Sequence, residues 1–393
     1  MIVALLIKGD KLGYIMNKKL GNYTYNKIIS FLLVIIIIFT LCACANNDIK
    51  VSSENEVVVI GFSQPGAESA WRLRNTQSVQ EAADEAGYKL EFIDSQHKQE
   101  NQIKALRTFI AYQVDVIAFS AIVESGWDNV LKEAKDAGIP VILTDRTIDT
   151  TDESLYLCTI GSDFYQEGIK AGNWLYDQFR TSPRDVNIIE LLGTVDSSPT
   201  KGRSTGFRDG LRCDDKFKIV HSESGDFFRS RGLEMINDYI ENGVPVTNNP
   251  LKDGRSYDLD RVSNSSTSSS GSNSSSQSSQ PIAMMPFDDI DVIYSHNDSM
   301  TLGVIEGLEK HGYKPGEDLL IITIDAQQEA IELLKENKIN CVIECSPELG
   351  PKLIETVKMI IDGRTDEIPK TMYTEETIFT QNDDLASLPE RLY

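Results

Sequence analysis

The sequence predicts an α/β protein of two doubly wound parallel-sheet lobes, and three observations carry that prediction. Short unbroken apolar runs recur along the chain, as in strands buried on both faces of a parallel sheet. Segments of helical periodicity separate them, which is the pattern of βαβ units. The alternation then restarts near the middle and yields more units than one small sheet can hold.

In the first half, Val57-Val58-Val59-Ile60 is the opening strand. A helical pattern follows from Trp71 to Ala86 and is stopped by Gly87. Strand Leu90–Ile93, helix Asn101–Tyr112, strand Val114–Phe119 and helix Trp127–Ala137 come next. Gly138 and Pro140 end that helix, and Val141–Leu143 is again a strand. After the run Leu155–Ile160 the second set begins with helix Tyr165–Phe179, strand Val186–Leu192 and a helix ending near Leu211. Strand Lys218–His221, helix Arg229–Ile240, strand Val292–Tyr294 and helix Met300–His311 continue it. Strand Leu319–Ile324, helix Gln327–Glu336, strand Cys341–Ile343 and helix Leu349–Ile361 complete it.

One stretch breaks the rhythm. Residues 263–280 are Ser, Asn, Thr, Gln and Gly without one apolar side chain, a composition that cannot offset its ordering entropy. With its flanks it reads as a disordered insertion over 246–285. It precedes a strand, whereas ligands of such sheets bind beyond the strands' carboxyl ends. The insertion is therefore expected on the surface, remote from any site.

The formal net charge of −22 over 393 residues excludes a nucleic-acid binder, which needs a basic face. It also opposes attraction to anionic lipid. The N-terminus points to export. Lys18, Lys19 and Lys27 precede the apolar run 28–39, which is short for a membrane span. The run ends in Leu41-Cys42-Ala43-Cys44, a bacterial lipobox. Residues 1–44 read as a lipoprotein signal peptide with Met16 as a fitting start, Cys44 as the lipidated residue and 45–55 as a polar tether. Two or more acyl chains, at about 0.8 kcal/mol per buried methylene, anchor such a protein stably. Cys158, Cys213, Cys341 and Cys345 remain in the mature chain. They allow three pairings, match no zinc spacing, and are expected as buried free thiols or one incidental bridge.

A set of short segments at strand ends and loops then becomes recognisable. They include Gly61-Phe62-Ser63-Gln64, Glu68-Ser69-Ala70-Trp71-Arg72, Gln99-Glu100-Asn101-Gln102 and Thr144-Asp145-Arg146. Gly161-Ser162-Asp163, Gly193-Thr194-Val195, Ser224-Gly225-Asp226-Phe227, His296-Asn297-Asp298 and Ile324-Asp325 follow in order. In this set, from about Val57 to Thr380, the chain resembles the ribose-binding class of type I periplasmic binding proteins. Within it, the similarity is greatest to galactofuranose-binding members of sugar ABC transporters. The resemblance implies a three-segment hinge near Gly161, Cys345 and Thr374. It divides the chain into an N-terminal lobe of 56–161 plus 346–374 and a C-terminal lobe of 162–345 plus 375–393.

It also implies a site. A sugar needs carboxylates to accept from its hydroxyls, guanidinium or amide groups to donate, and an aromatic plane for its C–H face. Each buried polar group must be paired. Trp71 is the candidate platform, with Glu68 and Arg72 around it and Ser69 and Ala70 between. Read without the resemblance, Trp71 would as readily be a core residue, and Glu68 and Arg72 a solvated helix pair. Asp145 and Arg146 follow a strand at its carboxyl end, as Asn297 and Asp325 do in the second lobe. A loop salt bridge and a helix N-cap at Asn297 are the plainer alternatives. Arg203 is the second-lobe arginine that the resemblance places on the sugar. Phe227 and Glu344 are added because their equivalents in the wider class line the cleft. Lys201 departs from the pattern and is expected to bring an extra donor into the pocket.

The implied function is capture of a monosaccharide, galactofuranose-like or a related pentose or hexose, by a monomeric lipoprotein. That lipoprotein would stand on the outer face of the cell membrane and deliver the sugar to an ABC transporter permease. The alternative is a sugar sensor that docks on a membrane histidine kinase. Catalysis is not expected: the sequence has no GxSxG elbow, P-loop or HExxH. Glu68 and Asp145 each have an arginine as neighbour, which disfavours the neutral form a general acid needs. No metal or cofactor is expected, and a lipobox stands where a transcription regulator would carry its helix-turn-helix.

Overall fold

The computed structural model describes residues 57–247 and 282–393. The expected signal peptide with Cys44, the expected tether and the serine-rich stretch lie outside them. Residues 57–393 form one compact unit. Among the described residues no helix is long and apolar enough to cross a membrane.

The first sheet is built from β1 (Val59–Gln64), α1 (Ala70–Ala86), β2 (Lys89–Asp94), α2 (Gln99–Tyr112), β3 (Val116–Phe119), α3 (Asp128–Asp136), β4 (Val141–Thr144) and β5 (Cys158–Gly161). The second set is α4 (Phe164–Phe179), β6 (Val186–Leu192), α5 (Ser198–Gly210), β7 (Phe217–Ser224) and α6 (Arg229–Asn242), then the short strands β8 (Val244–Val246) and β9 (Ala283–Met285). It continues with β10 (Val292–Ser295), α7 (Asp298–Lys310), β11 (Leu320–Asp325), α8 (Gln328–Lys335) and β12 (Cys341–Glu344). The chain ends through α9 (Gly350–Ile361), β13 (Thr371–Tyr373) and β14 (Ile378–Thr380).

The strand orders are β13-β5-β4-β3-β1-β2 and β14-β12-β11-β10-β6-β7. Every pair in the first sheet is parallel. In the second, β14 alone runs antiparallel, beside β12. Each sheet is buried on both faces. Ile60, Phe62 and Leu353 lie in one core of the first lobe, and Phe109, Phe119 and Trp127 in the other. Strands β1 and β6 hold equivalent places, each between a strand that follows it in sequence on one side and a later one on the other. That reversal of strand order opens the crevice where ligands bind.

The chain crosses between the sheets three times, at 162–163, 345–349 and 374–377, where the three-segment hinge was expected. Two features were not anticipated. The strands β13 and β14, three residues each and too short to show a period, carry the chain back into both sheets. Second, the insertion is narrower than 246–285. Val246 pairs with Ala283 and Val244 with Met285, so both margins form a small antiparallel ribbon.

Candidate functional site

The two switch points face each other and close around a narrow cleft. It is lined by Glu68, Ser69, Trp71, Arg72, Asp145 and Arg146 from the first lobe. Pro199, Arg203, Phe227, Asn297 and Asp325 come from the second, with Cys345 from a crossing segment.

Local structure explains the first wall. Ser69 caps α1 by accepting from the Arg72 N–H at 3.1 Å, which sets Trp71 and Arg72 on the first turn. Glu68 therefore precedes the helix. Arg72 sits at the centre of a buried network. Its Nε donates to Glu68 Oε1 at 2.9 Å, Nη1 to Gln64 Oε1 at 2.8 Å and Nη2 to Asp145 Oδ2 at 2.6 Å. Ser120 Oγ adds a bond to the same Asp145 oxygen at 3.0 Å. Arg146 Nη2 reaches Glu68 Oε1 at 3.1 Å. Asp145 has a φ of +60°, a left-handed conformation that aspartate tolerates better than most residues.

Burial opposes the Arg72 cation, but Asp145 and Glu68 more than offset it and hold the guanidinium above its ordinary value. Arg146 has weaker compensation. Burial, then Arg72, pushes it down to about 10 against the pull of Glu68 and Asp145. Glu68 Oε2 and Arg146 Nε are buried without a hydrogen-bond partner. An acceptor and a donor left open at one cleft are what a polar ligand would satisfy.

The second wall is held from behind. Arg203 Nε donates to Glu167 Oε2 at 2.7 Å and Nη1 to the His296 carbonyl at 2.6 Å. Glycine makes this possible: a Cβ on Gly168 would stand 2.3 Å from the Arg203 carbonyl, so only glycine lets α4 and α5 approach this closely. Burial opposes the Arg203 cation, and Glu167, then Cys345 and Asp325, hold it well above its ordinary value. Asp325 lies 3.9 Å from Arg203 and accepts from Gln327 Nε2 at 3.3 Å. Burial raises its carboxyl well above the usual range, with Arg203 opposing and Asp298 adding to the rise. Asn297 caps α7, accepting from Met300 N–H at 3.0 Å and donating to the Phe227 carbonyl at 3.2 Å. The Phe227 ring occupies the space a Gly193 side chain would need, 1.9 Å from its Cβ position. Arg146 of the opposite wall lies 5.3 Å from the Phe227 ring centroid.

The structure thus brings ten of the twelve predicted residues to one cleft. Ala70 is not among them: it is exposed on the outer side of the first turn. Nor is Glu344, which pairs with Arg391 at 2.8 Å and accepts from Thr377 N–H at 3.0 Å. Lys201 does not enter the pocket either. Its ammonium meets Glu124 of the first lobe at 2.5 Å on the rim. Sequence reasoning missed Pro199, Cys345 and the supporting Glu167. The four cysteines of the described residues are free, with Cys213 exposed.

The lobes meet around this cleft. Thr147 N–H donates to Ser198 Oγ at 2.9 Å, and Glu124 N–H to the Asp196 carbonyl at 2.9 Å. A periplasmic binding protein domain model matches residues 60–365. The chain belongs to the periplasmic binding protein family. It is 35% identical to the galactofuranose-binding protein YtfQ of Escherichia coli over 323 residues, 82% of this chain and 87% of that one. A Mycobacterium smegmatis crystal structure in complex with β-D-fucofuranose superposes with a TM-score of 0.71 at 38% identity, covering 85% of this chain and 94% of that chain. The periplasmic binding component of the arabinose ABC transporter of Shewanella sp. ANA-3, bound to α- and β-L-arabinofuranose, gives 0.68 at 34% identity, covering 84% and 94%. These relatives are solute-binding proteins, in keeping with a role other than catalysis.

Proposed function

We propose that this protein captures a neutral monosaccharide between its lobes and hands it to the permease of an ABC transporter. In this reading acylated Cys44 holds the protein at the outer face of the membrane as a monomer. The observation that carries the reading is the cleft's composition. Three carboxyl groups, Glu68, Asp145 and Asp325, face three guanidinium groups, Arg72, Arg146 and Arg203, beside the rings of Trp71 and Phe227. Acceptors and donors side by side suit hydroxyls that both donate and accept, and the rings suit the C–H face of a sugar. Glu68, Ser69, Trp71, Arg72, Asp145 and Arg146 bind from one side, and Arg203, Phe227, Asn297 and Asp325 from the other. The furanose sugars in the relatives' structures support a five-membered ring as the form captured.

A thermal-shift screen of free pentoses and hexoses, including L-arabinose, D-fucose and D-galactose, tests this. A ligand at about 100 times its Kd adds about 2.7 kcal/mol of stability, a clear rise in Tm. A rise with sugar acids or sugar phosphates and none with neutral sugars would sink the proposal.

A further inference from the structure

One side chain outside the cleft touches all three segments that connect the lobes. Glu376 Oε1 accepts from Ser162 Oγ on the first, from Ser346 N–H at 3.3 Å on the second and from Thr374 Oγ1 at 2.9 Å on the third. Facing it from α4 is the carboxyl of Glu167, and from the second segment the thiol of Cys345. One heteroatom of each of the three lies within 4.8 Å of the others. Lys170, also on α4, donates to the backbone carbonyl of Glu376 at 2.8 Å. Arg203, from α5, is committed to Glu167 Oε2. Glu167 is fully buried, and its other oxygen has no hydrogen-bond partner.

Two carboxyls this close and this dry do not both ionise without a large penalty. Arg203 Nε is bonded to one oxygen of Glu167, which leaves only the other to face Glu376. Three donors converge on Oε1 of Glu376 and by themselves favour its anion; burial and the facing Glu167 carboxyl oppose them. With Oε1 occupied by donors, the proton sits on Oε2, available to the unsatisfied Glu167 oxygen directly or through one water.

We propose that Glu376 is a positioning residue for lobe closure: its carboxyl keeps one proton, shared with Glu167, and so pins the three connecting segments in the closed arrangement. The inference rests on the capture reading above. Burial, then Glu167, pushes the Glu376 carboxyl up to about 8, against the bonds from Ser162, Thr374 and Ser346. Opening the hinge would admit water and return the group toward its ordinary range. The closed state therefore binds the proton more tightly. Its advantage is complete at low pH and lost as pH rises through about 8. Closure takes up a proton, and sugar affinity falls as the solution becomes alkaline.

Calorimetric titration with L-arabinose should show affinity weakening by up to about a hundredfold between about pH 6 and about pH 9, with proton uptake on binding. E376Q keeps an acceptor oxygen and offers an N–H to Glu167. It should bind as the wild type does at the acid end and hold that affinity at the alkaline end, whereas E376A should bind weakly throughout. A wild-type profile that is flat, or one that E376Q reproduces, overturns the proposal. So does a profile abolished by EDTA, which would assign the cluster to a cation. A second measurement reads the proton itself. In protein closed by saturating L-arabinose and carrying carboxyl-labelled glutamate, which leaves Asp325 silent, one resonance should titrate above about pH 6.5 and vanish in E376Q. If another sugar of the thermal-shift screen binds in its place, that sugar is used; failure of every sugar sinks the capture reading, whereas binding without such a resonance sinks the clamp alone.

Discussion

The two walls of the cleft carry the same kinds of side chain but hold them differently. On the first wall the charged groups satisfy one another: Arg72 binds Glu68 and Asp145, and Arg146 returns to Glu68. On the second, each group is committed to something behind the cleft. Arg203 is tied to Glu167 and a backbone carbonyl, Asn297 caps a helix, and the Asp325 backbone carbonyl receives Cys345 N–H at 3.3 Å and Tyr393 Oη at 3.0 Å. The first wall is thus a recognition surface whose members can back one another up. The second is recognition built into the fold, where losing a ligand contact also loses a structural one.

The sharpest way to break this contrast is to remove one charge from each wall. R203A leaves Glu167, which is fully buried, without its cation. It should lose about 3–5 kcal/mol of stability, as broken buried pairs do, together with sugar binding. D145N keeps a residue suited to the left-handed backbone, and Arg72 retains Glu68 and Gln64. Its affinity should fall by tenfold or more, since a charged hydrogen bond contributes about 1.5–3 kcal/mol, with a smaller loss of stability than R203A. Urea unfolding of both variants without sugar checks the difference. Equal midpoints would show that the walls do not differ in the way described.

Asn297 separates the two roles at one position. N297A should cost about 1 kcal/mol through loss of the helix cap, and affinity as well. N297S restores a cap but has no amide to donate to Phe227 or to a ligand. Its melting temperature should recover while its sugar affinity stays reduced. Recovery of both would make Asn297 a cap and nothing more.

The same contrast explains what the sequence disclosed. The alternation of apolar runs and helical stretches was readable because strands buried on both faces, such as Val116–Phe119, have no polar positions to blur the signal. β13 and β14 were not, because three residues cannot show a period. First-wall residues cluster in two short segments: Asp145 and Arg146 stand at a strand's carboxyl end, where position pointed to them, whereas Glu68, Trp71 and Arg72 at a helix start needed the resemblance to be told from core and surface residues. Glu167 belongs to neither pattern. It lies inside α4, and its partner Arg203 is inside α5. The readable sign was the glycine spacing, Gly168 and Gly172 against Gly202, Gly206 and Gly210, which marks two helices in close approach. Ala70 and Glu344 were carried in by resemblance alone. The outward turn of the α1 start and the Arg391 partner remove them from the cleft.

The smallest expected effect tests whether the rim belongs to either wall. Lys201 and Glu124 pair across the lobes, with the lysine side chain 40% exposed and the glutamate 17%. A pair this open is weakened by water, by salt and by the entropy of holding a long side chain, and contributes at most about 1 kcal/mol. The backbone bond from Glu124 N–H to the Asp196 carbonyl beside it survives any side-chain change. K201A should therefore weaken sugar binding by no more than about fivefold at low salt. In about 0.5 M salt, where screening already suppresses the pair, variant and wild type should converge. Isothermal titrations at the two ionic strengths measure this directly. A loss as large as that of D145N, and unchanged by salt, would mean that Lys201 reaches the sugar itself. The rim would then have to be counted with the second wall.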